Sequence, residues 1–548
     1  MARTTGWIAA CLLAWTARAA PADPASEAAG FRARGAETGI DFRYTFGGSK
    51  LTKILEATGA GVALFDMDHD GDLDIYFVNG SWVDGISSEE RAKQATNRLY
   101  RNDGDWHFTD VTDKAGVGDT GYGMGVVAAD YDGDGYVDLY VTNYGPNVLY
   151  HNRGDGTFED VTARAGVGGP ESLNGRTKWS TNAVFFDCDG DGDLDLYVSN
   201  YLTFDPAFNE YYGPEGFPGP SSYLGQPSIL YRNNGDGTFT DITKEAGVFR
   251  PDGRGMGASV LDYDGDGRPD IFEANDNMVN YLFKNLGGGR FTEVAVDALV
   301  AYGQGGENTA AMHGSPGDYD GDGLPDLLVT DLSYTSLLRN LGTGHFEDMA
   351  QVSGLARLAG QHSMWGGFFF DYDQDGTLDI FLATGGAHHL FGQQNLVLRG
   401  TGEGRFADVS LDLGRRVFFE KRTSRGAACG DLDGDGDLDV VVVNIDGDGS
   451  PTLYENRAAT GNWIAFDLVG QSPNTQALGA TVRVVAGGRS RVSSVQTCNS
   501  YLSSSDPRPH FGLGGAPCAD RVEVRWPSGA TKVYENLAAG RCHTLKEE

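Results

Sequence analysis

The chain has 548 residues, with 77 Asp and Glu against 42 Lys and Arg, a formal charge of −35. That balance argues against DNA or an anionic membrane as a partner, and no run beyond the N-terminus approaches the ~18 apolar residues of a membrane-spanning helix. The length allows two or more domains, and 80 glycines with 11% aromatics suit many short strands joined by tight turns.

The N-terminus opens with Arg3, runs mostly apolar from Trp7 to Trp15, and reaches the small-residue site Ala17-Arg18-Ala19. Residues 1–19 therefore read as a secretory signal. Ile8-Ala9-Ala10-Cys11 has the form of a lipobox, but the apolar run before it is too short for lipidation.

From residue 66 an Asp-x-Asp-x-Asp-Gly-x-x-Asp loop recurs seven times. The first copy sets Asp66, Asp68, Asp70 and Asp74 at positions one, three, five and nine, with Asp72 at position seven. The second has Asp130, Asp132, Asp134 and Asp138 around Tyr136; the third has Asp187, Asp189, Asp191 and Asp195 around Asp193. The fourth sets Asp262, Asp264, Asp266 and Asp270 around Arg268, and the fifth Asp318, Asp320, Asp322 and Asp326 around Leu324. Asp371, Asp373, Asp375 and Asp379 around Thr377 make the sixth; Asp431, Asp433, Asp435 and Asp439 around Asp437 make the seventh. Position six is glycine throughout, from Gly71 to Gly436.

This spacing suits Ca²⁺, a hard cation that takes six to eight oxygens at about 2.3–2.6 Å. Alternate residues of a tight loop turn three carboxylates inward, and glycine at position six permits the sharp turn. Position seven varies freely, as expected if only its backbone carbonyl is a ligand. The fourth Asp closes the cage from the next strand. An EF-hand is excluded, because position twelve is apolar in every copy except Glu273, and each loop leads into a β-like run such as Ile75-Tyr76-Phe77-Val78. The loops hold 31 of the 77 acidic residues, and seven divalent cations would bring −35 to −21. Export matches this metal, since extracellular calcium modules bind at about 10⁻⁴–10⁻³ M.

The first aspartates recur at a mean of about 61 residues, room for four short strands. A hairpin signature accompanies them: Leu149-Tyr150-His151-Asn152-Arg153-Gly154-Asp155-Gly156-Thr157-Phe158, again at 230–239, and more weakly at 99–112, 282–294, 338–348 and 396–410. Strand, Asp loop, strand, variable loop, strand, Gly-Asp-Gly turn, strand, repeated seven times, predicts an all-β fold, a seven-bladed β-propeller over 31–456. The seventh unit stops near Asn456 without its last strand, which the stretch from Phe31 to Phe42 is expected to supply.

Alternation places the Asp loops and Gly-Asp-Gly turns on one face. The long insertions 81–96, 202–227 and 385–394 fall on the other, where binding is expected. Lys178, Trp179, Arg254, Met256, His313, His362, Trp365 and Arg425 are expected at that face's central mouth, either to recognise sugars and carboxylates or to plug the channel and satisfy backbone groups. His388-His389 is an adjacent pair with poor chelating geometry by itself.

Near residue 457 the texture changes, and a small C-terminal β domain is expected over 461–548, with strands at 463–469, 481–485 and 521–526. Five cysteines lie beyond the signal, Cys188, Cys429, Cys498, Cys518 and Cys542, an odd number whose pairing cannot be read.

The Asp loops and hairpins resemble FG-GAP/VCBS propeller repeats, also found in integrin heads. Asn462-Trp463, Leu478-Gly479-Ala480, Tyr501-Leu502-Ser503-Ser504, His510-Phe511-Gly512-Leu513-Gly514 and Trp526-Pro527-Ser528-Gly529 resemble the ASPIC/UnbV domain. The combination, over residues 31–545, is similar to the cartilage acidic protein family and its bacterial relatives. The resemblance implies a secreted calcium-binding propeller and no established biochemical activity. Relatives often carry Cys in the third-blade insertion, where this chain has Tyr211-Tyr212-Gly213-Pro214.

The expected function is an extracellular binding or adhesion module for a glycan or protein, with up to seven Ca²⁺. The alternative is a carbohydrate-active enzyme, a lyase, dehydratase or hydrolase, built from His313, His362, Arg425 and Glu307 on the face opposite the calcium loops. No nucleophile elbow, zincin motif or phosphate loop supports catalysis. A third reading is a structural matrix component held by its tail through Tyr501, Phe511 and Trp526.

Overall fold

The computed structural model describes residues 30–208 and 216–548. The signal at 1–19 and the Tyr211-Tyr212-Gly213-Pro214 stretch lie outside the described residues.

Each Asp loop reverses the chain between two apolar runs that pair antiparallel, and the hairpin motif adds two more strands. Blade 1 orders Val62–Phe65, Asp74–Phe77, Arg98–Asn102 and Phe108–Asp110 from the axis outward. Six further four-stranded units come after it, opened by Tyr122–Ala129, Ser180–Phe186, Gly255–Leu261, Thr309–Gly317, Met364–Phe370 and Ser424–Gly430. These first strands neighbour one another around a closed ring, that of Ser424–Gly430 lying against Val62–Phe65. The result is a β-propeller. Blades 4 and 5 are further joined where Asp276 pairs with Ala310. The last blade takes its outer strand from Arg32–Arg34, which pairs antiparallel with Thr452–Glu455 and so closes the ring with strands from both ends of the propeller.

The tail forms two sheets. Asn462–Val469 lies between His510–Gly514 and a parallel Arg541–Lys546. Arg489–Ser494, Thr481–Ala486, Cys518–Arg525 and Thr531–Ala538 make the other. The strands at His510–Gly514, Arg541–Lys546, Arg489–Ser494 and Thr531–Ala538 lay outside the sequence expectation. Val482, Val484, Val522, Val524, Phe466 and Phe511 form a core continuous with Tyr131, Tyr140 and Phe185 of blades 2 and 3.

The tail sits on the Asp-loop face and sends residues 500–506 down the axis. The Ser504 amide donates to Val62 O, and Ser504 O accepts from the Leu64 amide, both at 2.9 Å. Leu502 O accepts from the Val126 amide (3.1 Å), and Ser505 Oγ accepts from the Cys429 amide (3.0 Å). Leu502 is buried in the same cluster as Met124, Met256, Met312 and Trp365. Glycine is required around this plug: a Cβ on Gly125 would stand 2.7 Å from Thr181 O and 3.1 Å from Leu502 O.

Candidate metal centres

The seven Asp loops share one geometry. The position-one carboxylate accepts from the position-six glycine amide at 2.8–3.0 Å. The position-five carboxylate accepts from the position-seven amide at 2.7–3.0 Å. Those bonds need the left-handed turn at position six, where all seven glycines have φ between +83° and +97°.

Position nine is buried in every copy. One carboxylate oxygen accepts from the position-two amide at 2.7–3.2 Å. The other accepts at 2.7–2.8 Å from an amide at the end of the blade's third strand, such as Asn102, Asn152 or Asn233. The fourth Asp therefore pins the loop to the blade as well as facing the cage.

The carboxylates crowd together. In the first four copies, Asp66-Asp68-Asp70 and Asp187-Asp189-Asp195 among them, three carboxylates offer oxygens within 4.8 Å of one another, and in the second His151 can join two of them. Burial, with neighbouring aspartates adding to it, pushes Asp74, Asp270, Asp326 and Asp371 up to about 8 and Asp138, Asp195 and Asp431 up to about 7. One oxygen each of Asp66, Asp68, Asp262, Asp318 and Asp371 is buried with no partner. An all-oxygen donor set with orphaned buried carboxylate oxygens fits a hard divalent cation.

Three position-seven side chains make contacts of their own. Arg268 Nε donates to Asn285 O (2.9 Å) and its guanidinium pairs with Asp266, Tyr136 stacks on His69, and Asp437 Oδ1 accepts from Gln374 Nε2 (2.8 Å). Glu273, at the one EF-hand-like position twelve, is buried and accepts from the Tyr197 hydroxyl.

Two repeated features escaped sequence reasoning. A basic residue on the third strand overhangs most loops: Arg339 Nε lies 2.6 Å from Asp320, His151 Nδ1 3.1 Å from Asp132, and Lys284 pairs with Asp264. Blade 7 has Glu455 there instead, tied at 2.9 Å to Arg34 and adding its charge to Asp435. The next residue, Asn, staples blade to blade. Asn152 Nδ2 donates to Met67 O of the preceding loop (2.9 Å) and Val137 O (3.1 Å). Asn102 closes the ring on Leu432 O (2.8 Å), and blade 6 alone has glycine, Gly400, at this place. The signal was the basic-Asn pair repeated inside the hairpin motif.

The tail touches these loops directly. Thr475 Oγ1 donates to Asp130 Oδ2, and Gln476 Oε1 accepts from the Asp130 amide (2.8 Å). Arg491 Nε donates to Gly376 O (2.9 Å), His510 Nε2 lies 2.9 Å from Gly436 O, and Arg525 Nη1 lies 3.9 Å from Asp262.

The expected mouth residues are mostly core. Arg425 is fully buried, stacked 3.7 Å over Trp365, and donates to Ala57 O, Ser424 O and Gly386 O. Lys178 is buried on Asn147 Oδ1 (2.7 Å) and Ser180 Oγ (2.9 Å), and burial holds its pKa well below the usual value. Trp179, Met256 and His313 are buried, and burial takes His313 down to about 3. His362 is half-buried, and Arg254 donates to Asn277 O at 3.0 Å. His313 and Arg425 are thus closed to a substrate, which removes the proposed His313–His362–Arg425 constellation. The segment at 40–60, which contributes Tyr44, Phe46, Leu55 and Ala57 to the core here, explains the closure. His388 packs on Phe217 with ring centroids 5.1 Å apart. The tail aromatics Tyr501, Phe511 and Trp526 are buried too, so none serves as a surface anchor. The five described cysteines are free thiols, and no described helix is long and apolar enough to cross a membrane.

Two fungal lectins superpose loosely: one from Agrocybe aegerita that recognises non-reducing terminal N-acetylglucosamine, 19% identical over 64% of this chain and 79% of its own, with a TM-score of 0.38; and the six-bladed fucose lectin of Aleuria aurantia, 13% identical over 64% and 94%, with a TM-score of 0.33. Cartilage acidic protein 1 of Homo sapiens is 26% identical over 524 residues, 89% of this chain and 71% of its own. The FG-GAP-like repeat family matches residues 82–141, 130–198, 222–273, 262–329, 318–382 and 371–442, and the ASPIC and UnbV family matches 470–548. Since those repeats cover more than half of it, the chain belongs to the FG-GAP-like repeat family and carries an ASPIC and UnbV domain at its C-terminal end.

Proposed function

We propose that the chain is a secreted, calcium-binding β-propeller that acts as an extracellular binding module for a glycan or protein ligand. The observation that carries this is the set of seven like carboxylate cages, with buried oxygens that lack a partner in the first, fourth, fifth and sixth. When bound, Ca²⁺ supplies the counter-charge those oxygens lack. Positions one, three, five and nine, with the backbone carbonyl of position seven, would hold it, while the position-six turn and the position-nine anchor keep the carboxylates converged. Export is supported by the signal-like N-terminus and by the similarity to cartilage acidic protein 1.

With the axis plugged and its far mouth filled, a ligand must be met on the rim and insertion loops or at the tail. Leu224, on the second of the insertions, is 70% exposed, the kind of apolar surface that marks an interaction site. Binding of the mature protein to a panel of glycans and surface proteins, with calcium and with chelator, tests the reading. Partners held only in calcium are expected, and a panel with none would sink it.

A further inference from the structure

A cleft of about 970 Å³ lies between blades 4 to 6 and the tail, at the upper end of the size of ligand pockets. One wall is the Asp-loop face. The other is the tail's four-stranded sheet and the segment leading to the plug, which carry Arg483, Arg489, Arg491, Arg525, Gln496 and Asn499.

These tail groups are underused. Among the described residues, Arg483, Arg489 and Arg491 have no carboxylate within 4.0 Å, and Arg525 meets Asp262 only at 3.9 Å. Arg483 Nη1 donates to Ser490 Oγ (3.1 Å), and Arg491 Nε to Gly376 O (2.9 Å). Arg491 Nη1, Gln496 Oε1 and Asn499 Oδ1 are buried with no partner. Such atoms are costly unless something satisfies them. Guanidinium groups take carboxylate or sulfate in paired hydrogen bonds. The amide oxygens are acceptors, and they call for O–H donors. A sugar chain bearing acid groups supplies both.

We infer that this cleft binds an acidic carbohydrate, carboxylated or sulfated, and is thereby the ligand site of the binding module, an inference that rests on that reading. The acid groups lie against the arginines of the tail, and the hydroxyls meet Gln496, Asn499 and the propeller wall. Arg483 and Arg489 are exposed, so the cleft is open to solvent along that edge.

Titration calorimetry on the full chain in millimolar calcium, with oligogalacturonate, sulfated dextran oligomers and neutral dextran, tests this. At least one acidic chain is expected to bind and neutral dextran is not, and the two acidic probes separate carboxylate from sulfate. Arg483→Ala and Arg489→Ala should each weaken binding about tenfold or more with an unchanged unfolding midpoint. Phe391→Ser, on the far face, should leave affinity intact. Equal binding of neutral dextran, no binding of either acidic chain, or wild-type affinity in both arginine variants would overturn the assignment. If binding were lost in Phe391→Ser and kept in the arginine variants, or if a calcium-dependent partner were found that is not an acidic sugar, the module would stand and the cleft would fall.

Discussion

Asp74 and its counterparts at position nine carry two burdens, accepting two backbone amides and facing a cage of like charges. Burial raises Asp74 from 3.8 to about 8. Without a cation the folded chain keeps protons that the unfolded chain releases above about pH 4. The unfolded state then binds fewer protons, so the stabilising contribution is full below pH ~4 and is lost as pH climbs to ~8. The unfolding midpoint of chelated protein should therefore fall between about pH 5 and 8 and hold steady in calcium; a chelated midpoint that rises with pH would refute the charge crowding. Gly400 gives a second prediction. Restoring the repeat's asparagine there should destabilise, because a Cβ would stand 2.9 Å from Thr377 Cγ2 and closer still to Leu378 O. A Gly400→Asn variant that melts higher than wild type would show that the staple outweighs the clash.

The loops differ as elements although their motif does not. Arg339 already offsets Asp320 in the fifth, whereas Glu455 adds negative charge to the seventh. In millimolar calcium Asp435→Asn should therefore cost more stability than Asp322→Asn, and the gap should close in chelator; equal costs in calcium would mean the third-strand residue does not rank the sites. The loops and strand order were legible because ligand chemistry and strand pairing both act at short, periodic spacing. The basic-Asn pair was visible as letters, but its meaning was not: Asn152 reaches Met67, a contact between blades that no period within one blade reveals. The mouth residues left two readings open for the same reason. Arg425 satisfies backbone groups, and the carbonyl of Ala57 that takes its guanidinium is 368 residues away.

At the scale of the molecule, metal face, tail and axis form one assembly. Tyr501-Leu502-Ser503-Ser504 marked a family in the sequence; in the structure it fills the channel, held by amides of blades 1 and 2. Because Thr475, Arg491 and His510 bond to the loops themselves, emptying the loops should loosen the tail. Trypsin should then cut after the exposed Arg457, at the junction, faster in chelator than in calcium; indifference to calcium would uncouple tail from metal. The most direct test of the whole account is the unfolding midpoint of the mature protein in chelator, in millimolar Mg²⁺ and in millimolar Ca²⁺. A cation held by the folded state alone must raise it. A large rise selective for Ca²⁺ is expected, and equal midpoints in all three would contradict the assignment of the seven loops as calcium sites.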